Sequence, residues 1–306
     1  MTTDTARTVA TLRSLTQRFD IGRENASPFY PSVCTVIPSN GADEEYGGMG
    51  SVPGVKEWLG DRQFATLRAA KFTITNRKWE NSIRVEKDDI DDARLLKYGP
   101  ILEQMGMEAE HHPDELLFEA ITAGESTACF DGQYFFDTDH SWGDSGTQSN
   151  DLTATAATGT TPTEAEFRTA YHAARTAMLG FKNDNGKLFH RPTIRPLSDL
   201  MLLVPPSLEE TATAALTKTL VSGGETNIVL DRPKIVPCAY LTDAAKFYLL
   251  RMGQPLKPFI FQARQPIKRQ MKGMDDNEFK DVKFMCDARY NVGYFAWWNA
   301  VLTTFT

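Results

Sequence analysis

The stretch AKFTITNRKWENSIRVE, residues 70–86, alternates apolar and polar side chains over nearly its whole length. A period of two marks a strand that is wet on one face. With Asn76 and Trp79 opposed across Arg77 and Lys78, it reads as a two-stranded hairpin. One face then carries Ala70, Phe72, Ile74, Asn76, Trp79, Asn81, Ile83 and Val85. Lys71, Thr73, Thr75, Glu80, Ser82, Arg84 and Glu86 share the other. A lone hairpin is marginal in water, so the apolar face needs cover. Burying Phe72, Ile74, Trp79 and Ile83 at roughly 2 kcal/mol each gives on the order of 8 kcal/mol. Little neighbouring sequence offers that cover, so it comes either from the chain's own body or from a neighbouring copy, and which of the two decides what the protein is.

Working outward towards the N-terminus, a short amphipathic helix near residues 5–18 precedes a stretch rich in Pro28, Pro31, Pro38, Gly41, Gly47, Gly48, Gly50, Pro53 and Gly54. That density of breakers predicts an extended arm. Phe29, Tyr30, Val33, Val36, Ile37, Tyr46 and Trp58 lie within it, which a solvated linker has no use for. The arm is therefore expected to lie along a surface.

On the C-terminal side, the acidic run 86–92 suits a helix start, and helix is expected to about residue 123, broken at Gly99–Pro100 and near Pro113 and stopped by Gly124. Residues 128–139 read as a strand or small hairpin turning at Asp131–Gly132, and 143–161 as a mobile loop or interdomain crossing. Thr161 and Glu164 predict a capping box around Pro162, opening a helix with the stripe Phe167, Ala170, Tyr171, Ala174, Met178 and Phe181. Leu200–Val204 is too short an apolar run for a helix and reads as a buried strand. Ser207 and Glu210 predict a second capping box, for a helix closed by Gly223–Gly224. Short strands near 234–236, 247–250 and 259–261 follow. The longest alternation runs from Val282 through Phe284, Cys286, Ala288, Tyr290, Val292, Tyr294 and Ala296 to Trp298, a long strand or a bent pair.

With 306 residues, 41% apolar and 24% charged, the chain is long and apolar enough for a substantial core, in about two domains. No window approaches a membrane span, and residues 1–20 lack the apolar core of a secretion signal. Cys34, Cys129, Cys238 and Cys286 form no CxxC pair, so they are expected as reduced, buried thiols. A formal charge of −7 argues against a surface that grips phosphate backbones, although Lys257–Lys272, with Arg264, Lys268 and Arg269, is a local basic stripe.

No phosphate-binding, dinucleotide, metalloprotease or serine-hydrolase motif is present. The sharpest chemical cluster is Asp137, Asp139 and His140, with His111 and His112 as further candidates for a mixed carboxylate–imidazole metal site. A metal-dependent hydrolase built on Asp137, Asp139 and His140 is the alternative function. The plainer account is turn-forming aspartates and hydrogen-bonded histidines, with no cofactor and no catalytic residues. A cysteine nucleophile, Cys34 or Cys129, has no partner at meaningful spacing, and Tyr290, Tyr294, Phe295, Trp297 and Trp298 fit a core or interface better than a base-stacking platform.

In their order and spacing, several of these stretches resemble the Mu-like bacteriophage major head subunit family, a major capsid protein. They are Ile37-Pro38-Ser39-Asn40, Glu45-Tyr46, Gly54 to Arg62, Lys71 to Val85, Asp88 to Asp92, Asp131 to His140, Leu202 to Glu209 and the C-terminal strand. The resemblance implies an α+β tailed-phage major capsid fold. It would place an N-terminal arm over 1–58, an extended hairpin loop over 59–86, a peripheral domain with a spine helix over 87–195 and 255–306, and an axial domain over 196–254. Pro100 and Pro113 would kink or segment the spine. The implied role is structural: copies joined as pentamers and hexamers in an icosahedral head that encloses DNA without sequence-specific binding, with scaffold and portal partners and no membrane. The implied location is the virion, assembled in the bacterial host cytoplasm. The expected inter-subunit contacts are Tyr46, Trp58, Phe72, Ile74, Arg77, Lys78, Trp79, Ile83 and Val85.

Overall fold

In the computed structural model, residues 3–47, 57–58, 60–61, 71–86, 89, 97–190, 193–194, 196–218, 233–272 and 281–306 are described. The expected helix start at 86–92 and the Gly223–Gly224 stop fall wholly or mostly outside them.

Two sheets organise the chain. The first has the order β1-β9-β10-β4, formed by Cys34–Pro38, Phe259–Lys272, Asp281–Tyr294 and Arg77–Glu86. Strands β9 and β10 make one long antiparallel pair whose register shifts between Asp287 and Tyr290, opposite Pro266. Proline cannot donate to the ladder, so a bulge there is the natural outcome. The second sheet has the order β5-β11-β8-β6-β7, formed by Asp151–Ala154, Ala300–Phe305, Lys246–Arg251, Leu200–Val204 and Lys234–Pro237. The C-terminal alternation is thus a bent pair, β10 in one sheet and β11 in the other, joined by a 3-10 turn at Trp297–Asn299. A third, two-stranded sheet pairs β2 (Asp43–Gly47) with β3 (Lys71–Thr75).

Helix α1 (Thr3–Asn25) lies against α3 (Tyr98–Ala123), with a single-turn α2 (Tyr30–Val33) between them in sequence. Gly22 and Gly106 set the approach. A Cβ on Gly22 would overlap the Glu103 carbonyl, and one on Gly106 the Phe19 carbonyl. Helix α3 runs unbroken through Pro113, contrary to the expected segmentation. Pro100 sits in the first turn, where a missing N–H costs nothing. Pro113 does cost the helix about 3 kcal/mol, but Leu116, Leu117, Phe118 and Ile121 beyond it are all buried and hold the helix on course. Before the proline, Tyr98, Leu102 and Met105 join Leu15, Phe19, Val85, Val282 and Phe284 in a smaller core; after it, the helix enters the main core. One helix therefore spans both cores.

Helices α4 (Glu164–Gly180) and α5 (Glu209–Thr217) cover the second sheet. The expected stripe of α4 is buried as read, as is every residue of β6. Its capping box lies two residues later than expected: Thr163 accepts from Glu166 N–H while the Glu166 carboxylate accepts from the Thr163 N–H. Thr-Pro-Thr-Glu-Ala-Glu fits both registers, and the later one leaves Pro162 outside the helix. The Ser207–Glu210 box does not form, because a 3-10 turn at Pro206–Leu208 puts Leu208 at the cap. Residues 143–161 are not a bare loop, since β5 lies within them and pairs with β11. Residues 128–139 form a tight loop with one bridge, Ala128 to Tyr134, and Gly132 at φ 89°.

The hairpin expected over residues 71–86 is not formed. Strand β3 pairs with β2, and β4 pairs over its full length with β10, from Arg77–Tyr290 to Glu86–Asp281. The physical reason is local. A two-residue hairpin loop needs positive φ at its central positions, which Arg77 and Lys78 disfavour. Asn76 instead extends the β2–β3 ladder, its N–H bonding to the Ala42 carbonyl and its amide to Ser39 Oγ and the Gly41 carbonyl. The chain then leaves for another sheet. The boundary expected at 196 also cuts through one sheet, because β5 and β11 lie outside 196–254 yet pair with strands inside or with each other.

Candidate functional site

Nine residues were expected at subunit contacts, and the structure separates them. Ile74 (3% exposed) and Val85 (1%) are sealed in the chain's own cores. Tyr46 is buried too, its hydroxyl donating to Gln262 Oε1 at 2.8 Å, while Gln262 Nε2 donates to the Ile74 carbonyl. Burial, helped by nearby Glu44, pushes the Tyr46 phenol up to about 12. Phe72 and Ile83 are half-covered by the main and smaller cores respectively. The expectation that a neighbouring copy covers this apolar face is therefore corrected: cross-strand neighbours Val282, Phe284 and Ala288 and the helices α1 and α3 cover most of it at home. Trp58, Arg77 and Lys78 remain exposed, Trp58 by 70% with its indole N–H donating to the Gly60 carbonyl.

The N-terminal segment is likewise laid on its own body. Arg23 pairs with Glu110 (2.6 Å), and the buried Asp114 carboxylate accepts the N–H groups of Phe29 (2.8 Å) and Tyr30 (2.6 Å). The Tyr30 ring lies 4.3 Å from that of Phe261, and β1 adds to the sheet edge beside β9. Asp114 is the anchor that sequence reasoning missed; a lone aspartate in a helix carries no signal for this.

Trp79 marks the feature with most surface character. Its indole N–H donates to the Tyr290 carbonyl at 3.0 Å, and its ring lies 4.4 Å from the His112 imidazole, which shares a 2.9 Å hydrogen bond with the Tyr290 hydroxyl. Burial pulls the His112 imidazole down, against the opposing charges of Glu115 and Glu119. Around Trp79 runs an open groove of about 280 Å³ between α3 and the β4–β10 pair, floored by Ala109, Ile267, Ala288 and Tyr290. Glu108 and Glu115 of α3 also line it, as do Glu80 and Asp287, a cross-strand pair whose side chains alternate to the sheet face away from Trp79 and Ala288.

The candidate hydrolase residues serve structure. His140 is fully buried, stacked 4.0 Å on Trp297, with Nδ1 2.7 Å from Asp131 Oδ2 and Nε2 3.2 Å from Asn150 Oδ1. Asn150 is the hub here, its amide donating to the carbonyls of Phe135, Trp297 and Ala300. Asp137 accepts from the N–H groups of Tyr134 and Thr138. The Asp139 carbonyl accepts from Gln133 Nε2. Among the described residues no three His, Cys, Asp or Glu side chains converge as a metal site. All four cysteines are buried free thiols, each pushed up by burial.

The decisive observation is that the sequence profile of the Mu-like prophage major head subunit gpT family matches residues 9–167, 160–241 and 242–304. This chain belongs to that family. Two curated relatives agree: the Mu-like prophage FluMu major head subunit of Haemophilus influenzae is 41% identical over 124 residues, 40% of each chain, and the major capsid protein of Escherichia phage Mu is 35% identical over 131 residues, 43% of each. The matches span about two fifths of those relatives. Among solved structures, the chain is similar to a subunit of the procapsid of bacteriophage JBD30, with a TM-score of 0.59 and 26% identity over 99% of this chain and 76% of that one. The mature capsid of bacteriophage PhiM1 shares the fold alone, with a TM-score of 0.59 and 16% identity over 92% of this chain and 87% of that one. The fold of this Mu-like head subunit is thus the α+β fold of tailed-phage capsid proteins. A hydrolase role for Asp137, Asp139 and His140 is overturned.

Proposed function

We propose that this chain builds a phage head: copies join as pentamers and hexamers and close an icosahedral shell around DNA. The observation that carries the reading is the likeness to a procapsid subunit along 99% of the chain. Each contact need be only modest, because a subunit held by several neighbours leaves the shell when all contacts fail together. A net charge of −7 suits a container that holds its DNA loosely, without reading its sequence.

In this reading the four-stranded sheet with α1 and α3 forms the peripheral domain, α3 being the spine, and the five-stranded sheet with α4 and α5 forms the axial domain. The extended loop, expected over 59–86, is then read as the β2–β3 ribbon, Asp43–Gly47 paired with Lys71–Thr75. Contacts between copies then fall to Trp58, Arg77 and Lys78, the exposed members of the expected set. Scaffold and portal proteins would complete the assembly in the bacterial host cytoplasm, and the mature location would be the virion.

Expression of the chain with its cognate head-assembly proteins, followed by sedimentation and electron microscopy, tests this. Closed particles with five-fold and six-fold capsomers are expected. A chain that stays monomeric under every such condition refutes the reading.

A further inference from the structure

We propose that Arg168, His172 and Arg175, on one flank of α4, form a binding site for a phosphoryl oxyanion. The chemistry recognised is the phosphate group itself, carried by the free ion or by a nucleic-acid backbone. It goes beyond the shell reading and needs no contact between copies.

Helical spacing puts the three side chains together. Positions i, i+4 and i+7 fall within about 60° of arc, so they are neighbours alongside the buried stripe Phe167, Ala170, Tyr171, Ala174 and Met178. All three are half-buried. In a chain of net charge −7 this flank is purely basic, since no Asp or Glu occurs from Phe167 to Asn183. The nearest carboxylates along the chain are engaged elsewhere. Glu164 pairs with Lys218, and Glu166 accepts the N–H groups of Ala157 and Thr163. Among the described residues no carboxylate pairs with Arg168 or Arg175, and Arg175 Nε is buried without a hydrogen-bond partner.

Like charges at this spacing repel, and an anion seated between them removes the repulsion. Burial, then the guanidiniums of Arg175 and Arg168, pull the His172 imidazole down, so at neutral pH it is an uncharged N–H donor. Two guanidinium forks and one imidazole N–H suit a phosphoryl group, with three acceptor oxygens, better than a carboxylate with two. The basic stretch 257–272 lacks this freedom. There Lys257 Nζ donates to the Pro31 carbonyl, Arg264 donates to the Ser39 carbonyl, and Arg269 is paired with Asp20. One weak phosphate site per copy, repeated over many copies, would hold a nucleic acid without reading its sequence.

Inorganic phosphate titrated into the full chain at constant ionic strength, with chloride as the anion it replaces, tests the site by NMR of the His172 imidazole. A saturable shift in the millimolar range is expected. Arg168→Gln with Arg175→Gln should weaken it by roughly tenfold or more, and Lys268→Gln with Lys272→Gln should leave it unchanged. Thermal unfolding by circular dichroism establishes that each variant folds, and Arg168→Gln alone, with a smaller loss, serves if the double variant does not. A short DNA duplex, read by fluorescence anisotropy at low salt, separates the two sources. A duplex that competes with phosphate and loses roughly threefold in affinity in the double variant makes the backbone the ligand; phosphate binding without duplex binding makes it the free ion, and both support the site. No saturable shift in the wild-type chain, or an equal shift in the folded double variant, overturns it. So does a shift produced by polyglutamate and not by phosphate, which assigns the flank to an acidic protein partner. Because no arm needs assembled particles, failure here leaves the shell reading intact.

Discussion

Truncating Ile74 to alanine asks directly whether the apolar face of residues 71–86 is covered at home or by a neighbour. Ile74 is 3% exposed, its carbonyl accepts from Gln262, and its side chain lies so close to Gly293 that a Cβ there would overlap it. The change deletes three carbons, about 2.4 kcal/mol at about 0.8 kcal/mol each. A cavity that the two strands cannot close adds roughly 1 kcal/mol. The expected loss of stability is thus about 3–4 kcal/mol, and it belongs to the single molecule. Urea unfolding followed by tryptophan fluorescence, under conditions where sedimentation shows a monomer, measures it. Trp58→Ala, at a residue 70% exposed, should move the same transition by less than about 0.5 kcal/mol. If Ile74→Ala leaves the monomer's stability unchanged and abolishes assembly alone, the home-cover account is refuted and the neighbour-cover expectation returns.

Gly106→Ala gains about 1 kcal/mol of helix propensity but drives a methyl group into the Phe19 carbonyl, so a net destabilisation of about 1–2 kcal/mol is expected. Gly99→Ala, with no atom nearer than 3.9 Å to the added carbon, should be neutral or stabilising in the same melt. Thr163→Ala should cost about 1 kcal/mol and Thr161→Ala almost nothing, which separates the two capping registers by thermal unfolding. Burial and the Arg251 guanidinium hold the His190 imidazole at about 4 against 6.5 when unfolded, while its bond to the Trp298 carbonyl opposes the shift. Because the unfolded chain binds this proton first, the contribution is whole above pH 6.5 and is lost as pH falls to about 4, a total of roughly 3 kcal/mol. His190→Gln should therefore flatten the stability profile between pH 7 and 4; an unchanged slope would count against it.

Periodicity in the sequence announced most of the elements. The stripe of α4, the five apolar residues of β6 and the alternation of β10 each encode their own burial, because one face of a helix or strand must be apolar to pack. Order and spacing of short stretches carried the family as well. The exposed pair Arg77–Lys78 held a warning that alternation masked: residues that resist positive φ cannot close a tight hairpin. Capping failed where Thr-Pro-Thr-Glu-Ala-Glu offered two registers of equal local merit.

Residue order by itself determined which segments are strands and helices, which of their faces are apolar, and to which family of head subunits the chain belongs. Only the tertiary structure decided that β4 pairs with β10 some two hundred positions away, that Asp114 ties down the N-terminal segment, and that residues of α3, β4, β9 and β10 line one groove. The reason is that periodicity is a property of neighbours along the chain, whereas strand pairing and convergent charge depend on whichever distant partner offers the longest ladder and the best cover.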